Sequence, residues 1–127
     1  MTPHRIVNPE SLPPPAGFSH AVVAVPGRTV YLGGQIGDGA TIAEQFAAAA
    51  GNVVTALRAA GAGPEHLVSL TIFVTDAGSY RSSLGPIGDA YRSHFGKHYP
   101  AVALFEVSGL FEPDALVELV GVAVVPG

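Results

Sequence analysis

The chain has 127 residues, 48% of them hydrophobic and 13% charged, which is the size and composition of one globular domain with a single core. Ten acidic residues against six scattered basic ones give a formal net charge of −4, so the electrostatic attraction that nucleic-acid binding needs is missing. The absence of cysteine excludes disulfide bonds and thiol catalysis.

The N-terminal segment has neither the apolar centre of a secretory signal nor an Arg-rich amphipathic pattern. No apolar run reaches the ~18 residues that a membrane-spanning helix needs. We therefore predict a cytoplasmic protein that does not contact a membrane. Because the charged fraction is far below the usual ~25%, we also expect other copies of the chain to cover part of its surface.

The first third of the chain combines short strands with loops. Residues 5–7 are a candidate first strand, and the prolines within residues 8–16 exclude a helix or a central strand there. Residues 19–25 and 29–32 flank Pro26-Gly27-Arg28, and this spacing predicts a β-hairpin.

A glycine-rich segment, GGQIGDGA, follows at residues 33–40. Glycines after a strand permit another backbone or a ligand to approach closely. The segment lacks the Gly-Lys-Ser/Thr ending of a phosphate loop, and the chain has no G-x-G-x-x-G fingerprint. We therefore do not expect a nucleotide site.

The next segment predicts a long amphipathic helix. Thr41 is a suitable N-cap, and Glu44 completes a capping box three residues later. Gly61 and Gly63-Pro64 end the pattern. Apolar residues at spacings of three and four form one stripe, which we expect to pack on a sheet: Ile42, Phe46, Ala49, Val53, Leu57 and Ala60.

Residues 66–75 predict a strand, and residues 76–95 a weaker helix. Pro86 lies inside the helical pattern, so we expect a kink or a new helix start near it, with most of the regular helix over residues 87–95. Alternate strand residues of one parity are wholly apolar and are predicted to face the helices: Val68, Leu70, Ile72 and Val74.

Two Val-rich apolar runs, at residues 101–107 and 115–125, predict neighbouring buried strands near the C-terminus. The element order then gives an α+β domain spanning residues 1–127, a mixed sheet with two helices packed on one face. The other face of such a sheet needs a partner. This is a second reason to expect an oligomer.

Few residues have the spacing of a catalytic or metal site. The five histidines are widely spread without a ligand pattern, and no G-x-S-x-G elbow is present, so we expect neither a metal site nor serine hydrolase chemistry. Glu106 and Glu118 are each the only acid on an apolar strand, and burial would suit them to general acid or base catalysis. Alternatively, each lies solvated or hydrogen-bonded at a strand end or subunit seam and has no catalytic role.

With its elements in this order, the chain resembles the YjgF/RidA family of reactive intermediate deaminases over nearly its whole length. The resemblance implies a chorismate-mutase-like homotrimer, with a small-molecule cleft at each subunit interface and no cofactor. The matching segments are Asn8-Pro9, Phe18 to Val22, Tyr31 to Ile36, the helix with Gln45, Asn52 and Leu57, Phe73 to Asp76, Tyr91 to Phe95, Tyr99 to Ala101, and Val117 to Pro126.

The family's best-known members hydrolyse short-lived enamines and imines, such as 2-aminoacrylate and 2-iminopropanoate, to a keto acid and ammonia. In such members an arginine follows the Pro-Ala of the penultimate strand, and here that position is Val102. A glutamate credited with positioning the attacking water aligns with Val120. A tyrosine aligns with Phe18, and a serine aligns with Gly33.

The resemblance therefore implies a changed pocket. A carboxylate bound without the arginine would lose about 1.5–3 kcal/mol for each hydrogen bond to a charged group, although backbone N–H groups near Leu104 could hold a small acceptor. Glu118 is the candidate catalytic residue. The candidate substrate-binding residues are Phe18, His20, Gly33, Val102, Leu104 and Val120.

We accordingly expect an imine or enamine hydrolase whose substrate is less anionic and more apolar than 2-iminopropanoate. The alternative is a non-catalytic trimer of the same fold that binds a ligand or another protein. Endoribonuclease activity, a further association of the family, would need a basic surface that the net charge of −4 does not provide.

Overall fold

A four-stranded mixed sheet with helices on one face forms the body of the protein. The computed structural model describes every residue from Met1 to Gly127. The helices and strands in chain order are β1 (Arg5–Val7), β2 (Ala21–Val23), β3 (Gly27–Tyr31), α1 (Ile42–Ala59), β4 (Leu67–Val74), α2 (Ala77–Ser82), α3 (Leu84–Phe95), β5 (Ala101–Glu106) and β6 (Val117–Pro126).

The strand order in the main sheet is β3-β6-β4-β5. The β3–β6 and β6–β4 pairs are antiparallel, whereas β4 and β5 run parallel with α2 and α3 in the connection between them. The predicted α+β class and mixed sheet are confirmed. The prediction of two neighbouring buried strands near the C-terminus is wrong, because β4 lies between β5 and β6, and β5 is an edge strand whose last four residues are exposed. No helix is long and apolar enough to cross a membrane.

The predicted β-hairpin across Pro26 is wrong. Strand β2 pairs with β1 in a separate two-stranded sheet, and β3 pairs with β6. Pro26 has no N–H to give to a hairpin ladder, and Val25 donates its N–H to Nδ1 of His4 at 3.2 Å. The two segments therefore separate at this point and take different partners.

Helix α1 begins as its capping signal predicts. The Thr41 hydroxyl accepts the Glu44 N–H at 3.2 Å, and the Glu44 carboxylate accepts the Thr41 N–H at 3.1 Å. The assignment of Ala60 to the buried stripe is wrong, because the helix ends at Ala59 and Ala60 is the exposed C-cap. The other residues of the stripe are buried: Ile42, Phe46, Ala49, Val53 and Leu57.

A β-bulge changes which residues of β4 face the helices. The prediction for Val68 is wrong, because Val68 is half-buried and Leu67 is fully buried instead. The register against β6 shifts between Leu67 and Ser69, and one extra residue in a strand reverses the alternation of its side chains. The remaining predicted core residues are buried: Leu70, Ile72 and Val74.

A break at Ser83 separates α2 from α3, so the predicted new helix start near Pro86 is confirmed. Helix α3 begins at Leu84, earlier than residue 87, and Pro86 lies in its first turn. A proline is tolerated there because the N–H groups of the first turn have no partner within the helix.

The hydrophobic core lies between the helices and one face of the main sheet, and residues of α1, β4 and β6 form its centre. The opposite side, which we call the open face, carries apolar side chains that nothing covers within one chain. Tyr31 is 80% exposed and Phe105 is 53% exposed there. The predicted placement of the helices on one face is thus confirmed.

Candidate functional site

A cleft of about 440 Å³ lies where α2 and α3 approach the edge strand β5. Its floor contains Ile72 of β4 with Val102 and Leu104 of β5. The volume falls within the roughly 300–1,000 Å³ of small-molecule sites. Apolar side chains predominate because the cleft lies on the side of the sheet that the helices cover, next to the hydrophobic core.

The segment before β2 closes one side of the cleft with Phe18. Ser19, which is buried, donates its backbone N–H to the Pro100 carbonyl at 3.0 Å and its hydroxyl to the Tyr99 carbonyl at 2.6 Å. These two bonds join the segment to the start of β5. They place Phe18 at the mouth of the cleft.

His20 supports this arrangement without lining the cleft. Its N–H donates to Oδ1 of Asn8 at 2.7 Å, and its Nε2 donates to the Pro13 carbonyl at 2.8 Å. Its ring also lies edge-on to that of Phe18, at 5.2 Å between centroids. His20 therefore ties the proline-rich loop to the Phe18 segment.

Three tyrosines line one wall of the cleft: Tyr80 of α2, Tyr91 of α3 and Tyr99, which lies two residues before β5. The rings of Tyr91 and Tyr99 stack at 5.1 Å and 6° between their planes, and the Tyr91 hydroxyl donates to the His98 carbonyl at 2.7 Å. Burial raises the pKa of Tyr80, and burial with smaller effects of Tyr99 and Tyr80 raises the pKa of Tyr91. Both phenols therefore stay protonated at neutral pH and serve as donors.

Arg92 is the one charged residue that lines the cleft. Its Nη2 donates to Oδ1 of Asp89 at 2.8 Å, and its side chain is 48% exposed. The lining contains no aspartate, glutamate or histidine. The cleft of one protomer thus has hydrogen-bond donors but no side chain suited to act as a general base at neutral pH.

The structure divides the sequence-predicted site residues into two groups. Phe18, Val102 and Leu104 line the cleft. Val120 pairs with Thr71 and lies on the open face, whereas Val102 pairs with Leu70 and points to the helix side. One protomer therefore does not bring the two valines into the same site.

Gly33 and Glu118 belong to the second group. Gln35 and Leu119 exchange backbone hydrogen bonds of 2.8 and 2.9 Å, which hold the glycine-rich segment along β6. Gly34 then lies directly against the half-buried Glu118 side chain. The Gly33-Gly34 segment, Glu118 and Val120 therefore lie close together at the open face.

Glu106 has a structural hydrogen bond. Its Oε1 accepts the N–H of Ala77 at 2.9 Å, at the start of α2, and its side chain is exposed at the end of β5. Asp76 is the N-cap of the same helix and accepts the Ser79 N–H at 3.2 Å. The interpretation of Glu106 as a hydrogen-bonded carboxylate at a strand end is confirmed.

The sequence interpretation missed Arg92 and the tyrosines as cleft residues. Tyr80, Tyr91 and Arg92 fall within the predicted helix over residues 76–95, and no motif there marks them as site residues. The clustering of tyrosines in the sequence could have indicated a shared site, because three of the four tyrosines of the chain fall within residues 80–99.

The fold places the chain among α+β proteins of the Rid type. The solved structure of YyfB from Yersinia pestis, described as a protein of unknown function of the conserved Rid family, superposes with a TM-score of 0.85. The two chains are 29% identical, and the match covers 96% of this chain and 98% of that one.

Sequence comparison gives the same answer. A family model described as endoribonuclease L-PSP matches residues 9–125. The RutC family protein UK114 of Drosophila melanogaster is 34% identical over 114 residues, 84% of this chain and 78% of that protein. The 2-iminobutanoate/2-iminopropanoate deaminase of Bos taurus is 29% identical over 115 residues, 84% of this chain and 80% of that protein. The chain belongs to the YjgF/RidA family, as its motifs predicted.

Proposed function

We propose that this protein hydrolyses a small imine or enamine that is more apolar than 2-iminopropanoate. Of the two differences from 2-iminopropanoate that the sequence predicts, we retain the more apolar body and not the lower charge, because Arg92 lines the cleft and can bind a carboxylate. The observation that carries the proposal is the apolar floor formed by Val102 and Leu104 at the cleft. The bovine relative is named a 2-iminobutanoate/2-iminopropanoate deaminase, which supports the reaction class. The apolar floor of the cleft supports a substrate different from 2-iminopropanoate.

Hydrolysis of an imine adds water to the imine carbon and transfers protons to the nitrogen, which leaves as ammonia. An apolar cleft excludes bulk water and strengthens the hydrogen bonds formed inside it. The protonated Tyr80 phenol is a donor that lines this cleft. The remaining requirement is a carboxylate that positions the attacking water.

We propose that this carboxylate is Glu118 of a neighbouring protomer in a homotrimer. Glu118 lies on the open face of β6, where the exposed Tyr31 and Phe105 side chains leave apolar surface to be covered. Association through that face would complete a cleft that lacks an acid of its own. Light scattering tests the assembly: a mass three times the 12.9 kDa of one chain is expected, and a monomer would contradict it.

The alternative is a trimer of the same fold that binds a small ligand or another protein without catalysis. The lack of any acidic or histidine side chain in the cleft lining favours it. Catalysis and binding alone are distinguished by whether the protein accelerates release of ammonia from an imine.

The proposed substrate change is tested with freshly generated 2-iminopropanoate. We expect little acceleration of pyruvate formation by the wild type and a gain in the Val102→Arg variant, since a guanidinium binds a carboxylate with two hydrogen bonds. Val102→Leu is the matched control and is expected to stay inactive on this substrate. A wild type as fast as Val102→Arg would contradict the proposal.

A further inference from the structure

We propose that Arg92 is the polar anchor of the cleft and binds an oxygen acceptor at one end of an otherwise apolar ligand, a carboxylate in preference to a neutral carbonyl. This inference rests on the proposed function in taking the cleft as the ligand site. It places the polar end of the ligand beside α3, whereas Val102 of β5 contributes only apolar surface to the cleft.

The first reason to assign this role to Arg92 is its location. It follows Tyr91 on α3, and both residues line the cleft together with Val102. A Cβ atom built on Gly88 would lie 3.3 Å from Nη1 and 3.4 Å from Nη2 of Arg92. Gly88, one turn earlier, therefore leaves the space that the guanidinium occupies at the edge of the cleft.

The second reason is the hydrogen-bonding capacity of Arg92. A guanidinium has five N–H donors, and the bond from Nη2 to Asp89 occupies only part of this capacity. Asp89, and to a smaller extent the Tyr99 hydroxyl, raises the pKa of Arg92, so the side chain keeps its charge. The Asp89 side chain is 80% exposed, and exposed ion pairs are weak, so a ligand carboxylate can compete with it.

The rest of the lining defines the other end of the ligand. Ile72, Ile87 and Leu104 offer apolar contacts, and the stacked rings of Tyr91 and Tyr99 extend the surface. No second charge is present to bind a second ionic group. The ligand class is therefore a monocarboxylate with a compact apolar body.

Tyrosine fluorescence provides the test. The chain has no tryptophan and four tyrosines, of which three line the cleft, so Tyr31→Phe confines the signal to cleft residues. In that background we titrate cyclohexanecarboxylate and, as its neutral counterpart, cyclohexanecarboxamide. We expect the carboxylate to bind at least about threefold more tightly, a preference that fits a partly exposed ion pair.

Three further variants in the Tyr31→Phe background test whether Arg92 causes the preference for the carboxylate. Arg92→Gln should remove it, and Asp89→Asn should enlarge it by releasing the guanidinium. Arg81→Ala removes an exposed arginine of α2 that does not line the cleft, and it should leave the preference unchanged. Thermal unfolding of each variant checks that the fold is retained.

A preference unchanged in Arg92→Gln would overturn the role of Arg92 but leave the cleft as a ligand site. A preference lost equally in Arg81→Ala would trace the effect to net charge and also overturn it. If neither compound changes the fluorescence of any variant, the inference and the proposed use of this cleft both fail.

Discussion

The carboxylate of Glu118 occupies the space that a side chain at position 34 would need. A Cβ atom built on Gly34 would overlap the end of the Glu118 side chain. Because that end is flexible, we predict that Gly34→Ala displaces the carboxylate and lowers the free energy of unfolding by less than about 1 kcal/mol. Urea unfolding measures the stability, and imine hydrolysis measures the consequence for function.

Gly109→Ala is the matched control, because Gly109 is exposed outside the site and no atom lies within 4 Å of the Cβ that it would add. If Glu118 positions the attacking water, Gly34→Ala loses most of the activity and Gly109→Ala keeps it. Equal activity in the two variants would show that the position of Glu118 does not matter for hydrolysis.

Gly37 should respond differently to the same change. A Cβ atom at Gly37 would overlap Ala48 and the backbone N of Ala49, and the backbone of α1 cannot move aside as a side-chain end can. We predict that Gly37→Ala lowers the free energy of unfolding by about 1–3 kcal/mol, the usual cost of overpacking. A urea midpoint equal to that of the wild type would contradict the close packing of this loop on α1.

Glu106 should affect stability more than function. Removing the carboxylate in Glu106→Ala leaves the Ala77 N–H without its acceptor at the start of α2, so we predict a loss of about 0.5–2 kcal/mol. Glu106→Gln retains an acceptor and should recover most of it. An unchanged stability together with abolished hydrolysis in both variants would instead indicate a catalytic role.

His98 makes stability depend on pH. Its Nε2 donates to the Leu67 carbonyl at 2.8 Å, and burial, the largest effect, lowers its pKa below the ordinary 6.5. The unfolded chain therefore takes up the proton first as the pH falls, so this histidine lowers the free energy of unfolding below about pH 6.5 and has no such effect well above it. We predict a smaller loss between about pH 7.5 and 5.5 in His98→Gln than in the wild type. Equal losses would show that His98 does not titrate with unfolding.

Patterns within one segment correctly predicted the parts of the fold that depend on residues close together in the sequence. Thr41 and Glu44 specify the start of α1, and the spacing of residues such as Phe46 and Val53 specifies its buried face. The bulge after Leu67 and the separate partners of β2 and β3 depend on pairing between distant segments. No periodicity within one segment reports such a pairing.

The same limit applied to the candidate site. Glu118 and Val120 lie on the same face of β6 because side chains alternate along a strand, but the relation between β5 and β6 depends on their registers against β4. Tyr91 has the spacing of a core residue and is largely buried, yet it also lines the cleft beside the break at Ser83. Motif resemblance identified Phe18 and Val102, and only the structure adds Arg92 to them.

The most direct test is the ratio of kcat/KM for two freshly generated imines, 2-imino-4-methylpentanoate and 2-iminopropanoate, in the wild type and in Val102→Arg. Additional methylene groups in an apolar pocket commonly change specificity by tenfold or more. We predict that the wild type favours the larger, more apolar imine by at least about tenfold and that Val102→Arg shifts the ratio toward the smaller one. A wild type that prefers 2-iminopropanoate, or that hydrolyses neither imine, would contradict the account.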